Sequence, residues 1–296
     1  MEKPTETAVC VNPNAKQAEE RAVVLAAGGI AYRLEETDAG WALVVSARDA
    51  TRARDALAAY DEESRHAAVA DAPPPGYGVT WIGALVAALL VGFFAVTGPR
   101  DGGVAWFGRG SASAEQILKG EVWRTVTALT LHADLAHVLG NAVACVVLVT
   151  AVGRWLGPGI GSWLVLLAGA GGNALTALAH GSHHISVGAS TSTFGAVGIL
   201  AALQFVARRR GRAVGRKAWV VVAASLVLLG MLGTAAGSDL LAHLFGLLVG
   251  GGLGIGAALA LRRPPGRLIQ WALVLAAAMV VVGCWWIALA TAVTHR

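Results

Sequence analysis

The chain has 296 residues, 56% hydrophobic and 14% charged, against roughly 45–50% and 25% in ordinary soluble domains, which argues against a purely cytosolic enzyme. Residues 1–73 carry 8 Lys/Arg and 13 Asp/Glu, net −5, whereas residues 74–296 carry 15 basic and 5 acidic groups, net +10. The formal +5 therefore averages two unlike pieces and does not point to nucleic acid, and Cys10, Cys145 and Cys284 lack the CxxC or Cys/His spacing of a disulfide framework or structural zinc site.

Met1 to Glu20 has no continuous apolar core and does not read as a secretory signal. Thr7–Val11 predicts a strand, and Asn14 with Gln17 three positions on predicts a capped helix running to Gly28-Gly29. Ile30–Leu34 and Trp41–Val45 predict two strands around a hairpin at Glu35–Gly40. Ser46 with Asp49 opens a second helix whose apolar face is Ala50, Ala53, Leu57 and Tyr60. The result is a small βαββα unit, a ferredoxin-like fragment over residues 1–66, followed by a Pro-rich linker over 67–76 with Pro73-Pro74-Pro75. No pocket chemistry is visible in it, so it reads as an adaptor or regulatory unit with a cytoplasmic partner.

Seven apolar stretches follow, near Val79–Val96, Leu135–Val152, Ile160–Ala179, Val187–Ala207, Ala218–Ala236, Leu240–Leu261 and Leu268–Ala292. Each is long enough to cross a ~30 Å hydrocarbon core at about 1.5 Å per residue. Arg154, the run from Arg208 to Lys217, and Arg262, Arg263 and Arg267 fall in alternate loops and hold ten of the fifteen basic residues of this part. By the positive-inside rule those loops face the cytoplasm, which places the acidic N-terminal unit there and the C-terminus outside. This predicts a multi-pass protein of the cell (inner or plasma) membrane. On the opposite side, the long loop from Gly98 to Ala133 contains Trp106, Phe107, Trp123 and Arg124, and its length suggests structure of its own.

Polar side chains within spans are costly in lipid and mark candidate sites. Here they are His137, Asn141, Asn173, Ser190, Ser192, Gln204 and His243. His137 lies 17 residues before Arg154, Ser190 lies 18 before Arg208, and His243 lies 19 before Arg262. Three reactive side chains therefore share one level, about 26–28 Å from the cytoplasmic rim. Asn141 is one turn deeper than His137 on the same face. A serine, a histidine on another span, and a further His with an Asn are the working parts of acyl transfer: nucleophile, base and donors to an oxyanion. Asp239, four residues before His243, reads as the cap of the sixth span, so a Ser–His dyad is implied. Gly195 and Gly198 after the serine and Gly246 and Gly250 after the histidine allow the two spans to touch.

The string Ser186-Val187-Gly188-Ala189-Ser190-Thr191-Ser192-Thr193-Phe194-Gly195-Ala196-Val197-Gly198 resembles the nucleophile segment of the rhomboid intramembrane serine proteases. Ala242-His243-Leu244-Phe245-Gly246-Leu247-Leu248-Val249-Gly250 resembles that family's AHxxGxxxG segment. His132 to Asn141 is similar to its paired-histidine and asparagine helix, and Trp123-Arg124 to its first-loop motif. The resemblance covers about residues 79–262. It implies an all-α polytopic bundle with a six-helix core (77–262) and one additional C-terminal helix (263–296).

By that resemblance Ser190 is the nucleophile, His243 its base, and His137, Asn141 and the Ser190 N–H the oxyanion donors. Phe194 stands where an aromatic ring packs on the base. Trp123 and Arg124 anchor the first loop, and His132 braces it. The substrates implied are transmembrane segments of other membrane proteins in the lipid bilayer, with no metal or cofactor. One departure is Thr191, where the family most often has glycine, which makes Ser192 a rival nucleophile. Two other readings compete. One is an inactive relative that binds membrane clients, expected to lack the serine or histidine that this chain keeps. The other is a metal site built on His132, His180, His183 and His184, which lacks an HExxH and has no carboxylate in its loop, so a solvated histidine cluster is expected there.

Overall fold

The computed structural model describes residues 6–71, 76–102, 105–210, 239–261 and 263–291. The chain divides into two compact units, Met1–Ala72 and Pro73–Arg296.

The first unit contains β1 (Glu6–Asn12), α1 (Ala15–Ala27), β2 (Tyr32–Thr37), β3 (Gly40–Ser46) and α2 (Ala50–Asp71). β3 lies between β1 and β2 and is antiparallel to both. Its run Ala42-Leu43-Val44-Val45 is buried throughout, as a central strand requires. Leu43 and Val45 pack with Ala22 and Leu25 of α1 and Ala50, Ala53 and Leu57 of α2. Asn14 caps α1 by accepting from the Gln17 N–H at 3.0 Å. The second strand starts later than the apolar run suggested. Ile30 is a core residue before it, and β2 is an edge strand whose Arg33 pairs in solvent with Glu6 and Glu35. α2 continues to Asp71, past residue 66, where the linker was expected to begin.

In the second unit α3 (Ile82–Thr97) precedes a folded loop containing α4 (Ala105–Gly110), β4 (Ala112–Ser113), α5 (Ala114–Leu118) and α6 (Arg124–Thr127). Then come α7 (Leu135–Leu156), α8 (Pro158–His180), β5 (Ile185–Ser186), α9 (Ser190–Arg209), α10 (Leu240–Ala260) and α11 (Arg267–Ala290). Six of the described helices, α3 and α7 to α11, are long and apolar enough to cross a membrane. The protein thus combines a bundle of helices of membrane-spanning length with a small strand-containing N-terminal unit. The span expected at Ala218–Ala236 lies outside the described residues.

α9 is the central helix: 72% of its apolar window is buried, against 17–39% for the other five. α7, α8 and α10 pack around it, α3 packs on α7, and α11 packs on α8. Helices in lipid gain little from apolar surface alone and associate where small residues permit close contact. α9 and α10 meet this way. A methyl group at Gly250 would strike the Gly195 carbonyl, one at Gly198 the Leu247 carbonyl, and one at Gly246 the Thr191 carbonyl. Gly254 continues the row, with Ile199 Cα 2.8 Å from its Cβ position.

α11 is held by a side chain that the sequence reading passed over. Gln270 is fully buried. Its Oε1 accepts from the Gly159 N–H at 2.7 Å and the Ile160 N–H at 3.0 Å, and its Nε2 donates to the Leu156 carbonyl at 2.9 Å. It thus satisfies the start of α8 and the end of α7 together, groups that helix termini leave without partners. The signal was present, a lone amide in an apolar span.

Candidate active site

The long loop between α3 and α7 is fixed by one buried cation. The Arg124 side chain donates from Nε to Glu121 Oε2 at 2.6 Å and from Nη1 to the carbonyls of Gly108 at 3.0 Å and Ser111 at 3.2 Å. Thr127 Oγ1 donates to the Gly110 carbonyl at 2.8 Å. Trp123, beside them, packs with Phe107, Leu131 and Trp285. The Trp285 indole N–H donates to Thr130 Oγ1 at 3.0 Å, joining α11 to the same loop. β4 of this loop pairs with β5, Ala112 opposite Ser186 and Ser113 opposite Ile185. The loop and the segment leading to Ser190 are therefore one structure.

Ser190 is the first residue of α9, so its N–H has no acceptor within the helix. The approach to it is set by two backbone N–H groups and one glycine conformation. The Gly188 N–H donates to the Ala128 carbonyl at 2.9 Å. The Ala189 N–H donates to His132 Nε2 at 3.4 Å. Gly188 itself has φ +118°, in the region that favours glycine. A Cβ there would also stand 2.6 Å from His137 Nε2. Burial pushes the His132 imidazole down to about 3, with the neighbouring His137 adding to the effect, so the ring is neutral and able to accept.

His243 lies in the first turn of α10. Asp239 caps that helix by accepting from the Ala242 N–H at 3.0 Å. The Ser190 hydroxyl and His243 Nε2 are 2.9 Å apart. The Phe194 ring stacks on the imidazole, centroids 4.2 Å apart and planes inclined 14°. That contact fixes the ring plane and covers one face. His243 Nδ1 is buried and has no hydrogen-bond partner among the described residues. Among the described residues, therefore, Ser190 Oγ is the hydrogen-bond partner of the ring and no carboxylate hydrogen-bonds it.

His137 and Asn141 stand on α7 on the other side of Gly188. The Ala133 N–H donates to His137 Nδ1 at 3.4 Å. An accepting Nδ1 leaves the proton on Nε2, which is the nitrogen that approaches Gly188. Asn141 Nδ2 donates to the His137 carbonyl at 3.1 Å and lies 3.6 Å from the Gly188 Cβ position. Two side-chain donors thus converge beside the residue two before Ser190. Ser192 points elsewhere: it is buried, and its hydroxyl lies against Gly169 of α8.

The histidines between α8 and α9 differ from expectation in one respect. His184 has a carboxylate partner after all, Asp239 Oδ2 at 2.5 Å from its Nε2, supplied from the start of α10 and thus invisible in the loop sequence. His180 stacks on His184 with centroids 3.9 Å apart. Among the described residues no group of three or more His, Cys, Asp or Glu is placed to hold a metal ion.

The rhomboid domain model matches residues 119–260, which include every residue just described from Glu121 to Asn141 and from Ser190 to His243. The chain is also similar to the Bacillus subtilis (strain 168) protein named "Putative rhomboid protease YdcA". The two are 31% identical over 177 residues, which is 58% of this chain and 84% of that protein.

Proposed function

The chain belongs to the rhomboid family, and from that premise we propose that it is an intramembrane serine endopeptidase working through a Ser190–His243 dyad. Ser190 Oγ attacks the scissile carbonyl as its proton passes to His243 Nε2. The oxygen of the tetrahedral intermediate is held by His137 Nε2–H, the Asn141 amide and the Ser190 N–H. His243 then returns the proton to the leaving amine, the acyl group remains on Ser190, and water activated by the same ring releases it. The observation that carries this reading is the 2.9 Å contact between Ser190 Oγ and His243 Nε2, made by two different spans.

Substrates are transmembrane segments of other membrane proteins, cut near their outer ends. A bond in a regular helix has no open carbonyl, so segments with small or helix-breaking residues are favoured. Water reaches Ser190 from the outer surface without crossing the hydrocarbon core. The arginines at 154, 208–210, 263 and 267 form the inner rim of the bundle in the cell membrane. That orientation puts the N-terminal α/β unit, with α2 reaching Asp71, and the Pro-rich segment after it in the cytoplasm, with residues 77–262 as the protease core. The helix in 263–296 then carries the C-terminus outside. The N-terminal unit serves recruitment or regulation by a cytoplasmic partner, and no cofactor takes part.

The test is cleavage of a single-pass substrate in liposomes, together with covalent labelling by a fluorophosphonate. Ser190→Ala and His243→Ala are expected to abolish both, and Ser192→Ala to keep most of each. Cleavage by Ser190→Ala equal to wild type would refute the assignment. Chelator is expected to leave the rate unchanged.

A further inference from the structure

Thr191 stands directly after Ser190, where the family most often has glycine, and its surroundings are built for it. It is 2% exposed. Its γ-methyl fills a notch formed by two glycines from different helices. Cβ positions built on Gly172 of α8 and Gly246 of α10 would lie 2.5 Å and 3.1 Å from Thr191 Cγ2. Any side chain at either position would compete with the threonine. Its hydroxyl donates to Asn173 Oδ1 at 3.2 Å, and Asn173 Nδ2 donates to the Thr125 carbonyl at 2.9 Å. Asn173 is 3% exposed, so both ends of its amide are used in a dry setting. Thr125 is the neighbour of Arg124, the cation that organises the outer loop.

We infer that Thr191 is a positioning residue for Ser190, acting through a buried relay, Thr191–Asn173–Thr125, that ties the first turn of α9 to α8 and to the outer loop. The proposal rests on the reading of Ser190 as nucleophile. The reason is mechanical. The first turn of a helix lacks intrahelical acceptors for its N–H groups, so its orientation depends on side-chain and tertiary anchors. Ser190 needs both its Oγ and its N–H held in place, one toward His243 and one toward the oxyanion. A glycine at position 191 would provide no anchor and leave φ and ψ free, whereas a β-branched residue restricts both and adds one fixed hydroxyl. Loss of the hydroxyl would also leave Asn173 Oδ1 buried without its partner, and buried unpaired groups rearrange to find one. The relay acts on placement and touches neither substrate nor reacting atoms.

The test uses the full chain in liposomes with the variants Thr191→Val, Thr191→Ser, Asn173→Ala and the double Thr191→Val/Asn173→Ala. Ser190→Ala serves as reference. Three readouts are taken: kcat and KM on a single-pass substrate, the second-order rate of fluorophosphonate labelling, and the labelled fraction at completion. Thr191→Val keeps the shape and removes the hydroxyl. It is expected to lower kcat and the labelling rate together by about tenfold or more, with KM within twofold and the labelled fraction unchanged. Thr191→Ser is expected to restore most of the rate. The double variant is expected to be no slower than the worse single, since both break one relay.

A wild-type labelling rate in Thr191→Val, or a loss explained wholly by a smaller labelled fraction, overturns the proposal, as does a double variant whose losses multiply. Labelling that persists in Ser190→Ala instead overturns the nucleophile assignment, and the positioning role with it. The two failures are therefore distinct.

Discussion

Replacing Gly250 by alanine tests the proposed Ser190–His243 dyad without altering either side chain. The new Cβ would lie 2.7 Å from both the carbonyl carbon and Cα of Gly195, with the carbonyl oxygen closer still. Carbon atoms in contact sit at about 3.5–4.0 Å, so the two helices must part by roughly 1 Å. Both obstacles are backbone, and no rotamer change relieves them. His243 is seven residues back along α10, about 10 Å away. If α10 shifts as a rigid rod, the 2.9 Å Ser190–His243 contact opens to roughly 3.5–4 Å, beyond hydrogen-bond range. Overpacking of this kind costs about 1–3 kcal/mol, and a displacement of about 1 Å at reacting groups costs on the order of 100-fold in rate. The control lies next to it: a Cβ at Gly251 meets nothing within 4 Å. Gly251→Ala should leave cleavage unchanged and stabilise the helix slightly, by up to about 1 kcal/mol from propensity. Both variants are compared by kcat/KM in liposomes and by the labelling rate of Ser190. A Gly250→Ala protein with kcat/KM within threefold of wild type would refute the claim that backbone contact between α9 and α10 sets the dyad.

Gln270→Leu removes one acceptor shared by two amides and one donor to a carbonyl while keeping volume. It should destabilise the protein in micelles by about 3 kcal/mol, read as a lower Tm, with the per-site labelling rate preserved in the folded fraction. His132 supplies a pH dependence of known sign. Its folded value is pushed down to about 3 by burial, against about 6.5 when exposed. Below pH 6.5 the unfolded chain takes up the proton first, so stability from this group is complete above 6.5. It is then lost at about 1.4 kcal/mol per pH unit down to about 3. By pH 5 the loss is about 2 kcal/mol. His132→Gln should reduce the stability lost between pH 8 and pH 5 by about 2 kcal/mol, read as a smaller Tm difference, and an unchanged difference would place the acid sensitivity elsewhere.

His137, Ser190 and His243 come near one another because they stand at matching positions on regular helices. Equal spacing from the arginines that follow each span puts the three at one level when each helix rises steadily, and α7, α9 and α10 do so. Gly195, Gly198, Gly246 and Gly250 were legible for a related reason. In lipid a row of glycines has few uses other than close approach, and each of these meets backbone of the facing helix. Contacts that depend on the path of the chain between helices were not legible. The β4–β5 pairing covers two residues on each strand, too few for any alternation to show. The Asp239 carboxylate reaches His184 across 55 positions, and neither residue's neighbours signal the other. The tautomer of His137 rests on the Ala133 N–H, a backbone group that every sequence carries.

The same contrast explains where this chain departs from its family's usual pattern. At Thr191 the sequence shows only that the usual glycine beside Ser190 is missing, which raises Ser192 as a rival to it. In the fold the bulk is accommodated by glycines at 172 and 246, and the hydroxyl is matched by Asn173. A glycine restored at 191 would then leave a gap between Gly172 and Gly246, of about one methyl group, and an asparagine without its donor. Thr191→Gly should therefore lower both stability and cleavage. Wild-type stability and cleavage in that variant would show that Gly172 and Gly246 serve helix packing alone, with no adjustment to the threonine.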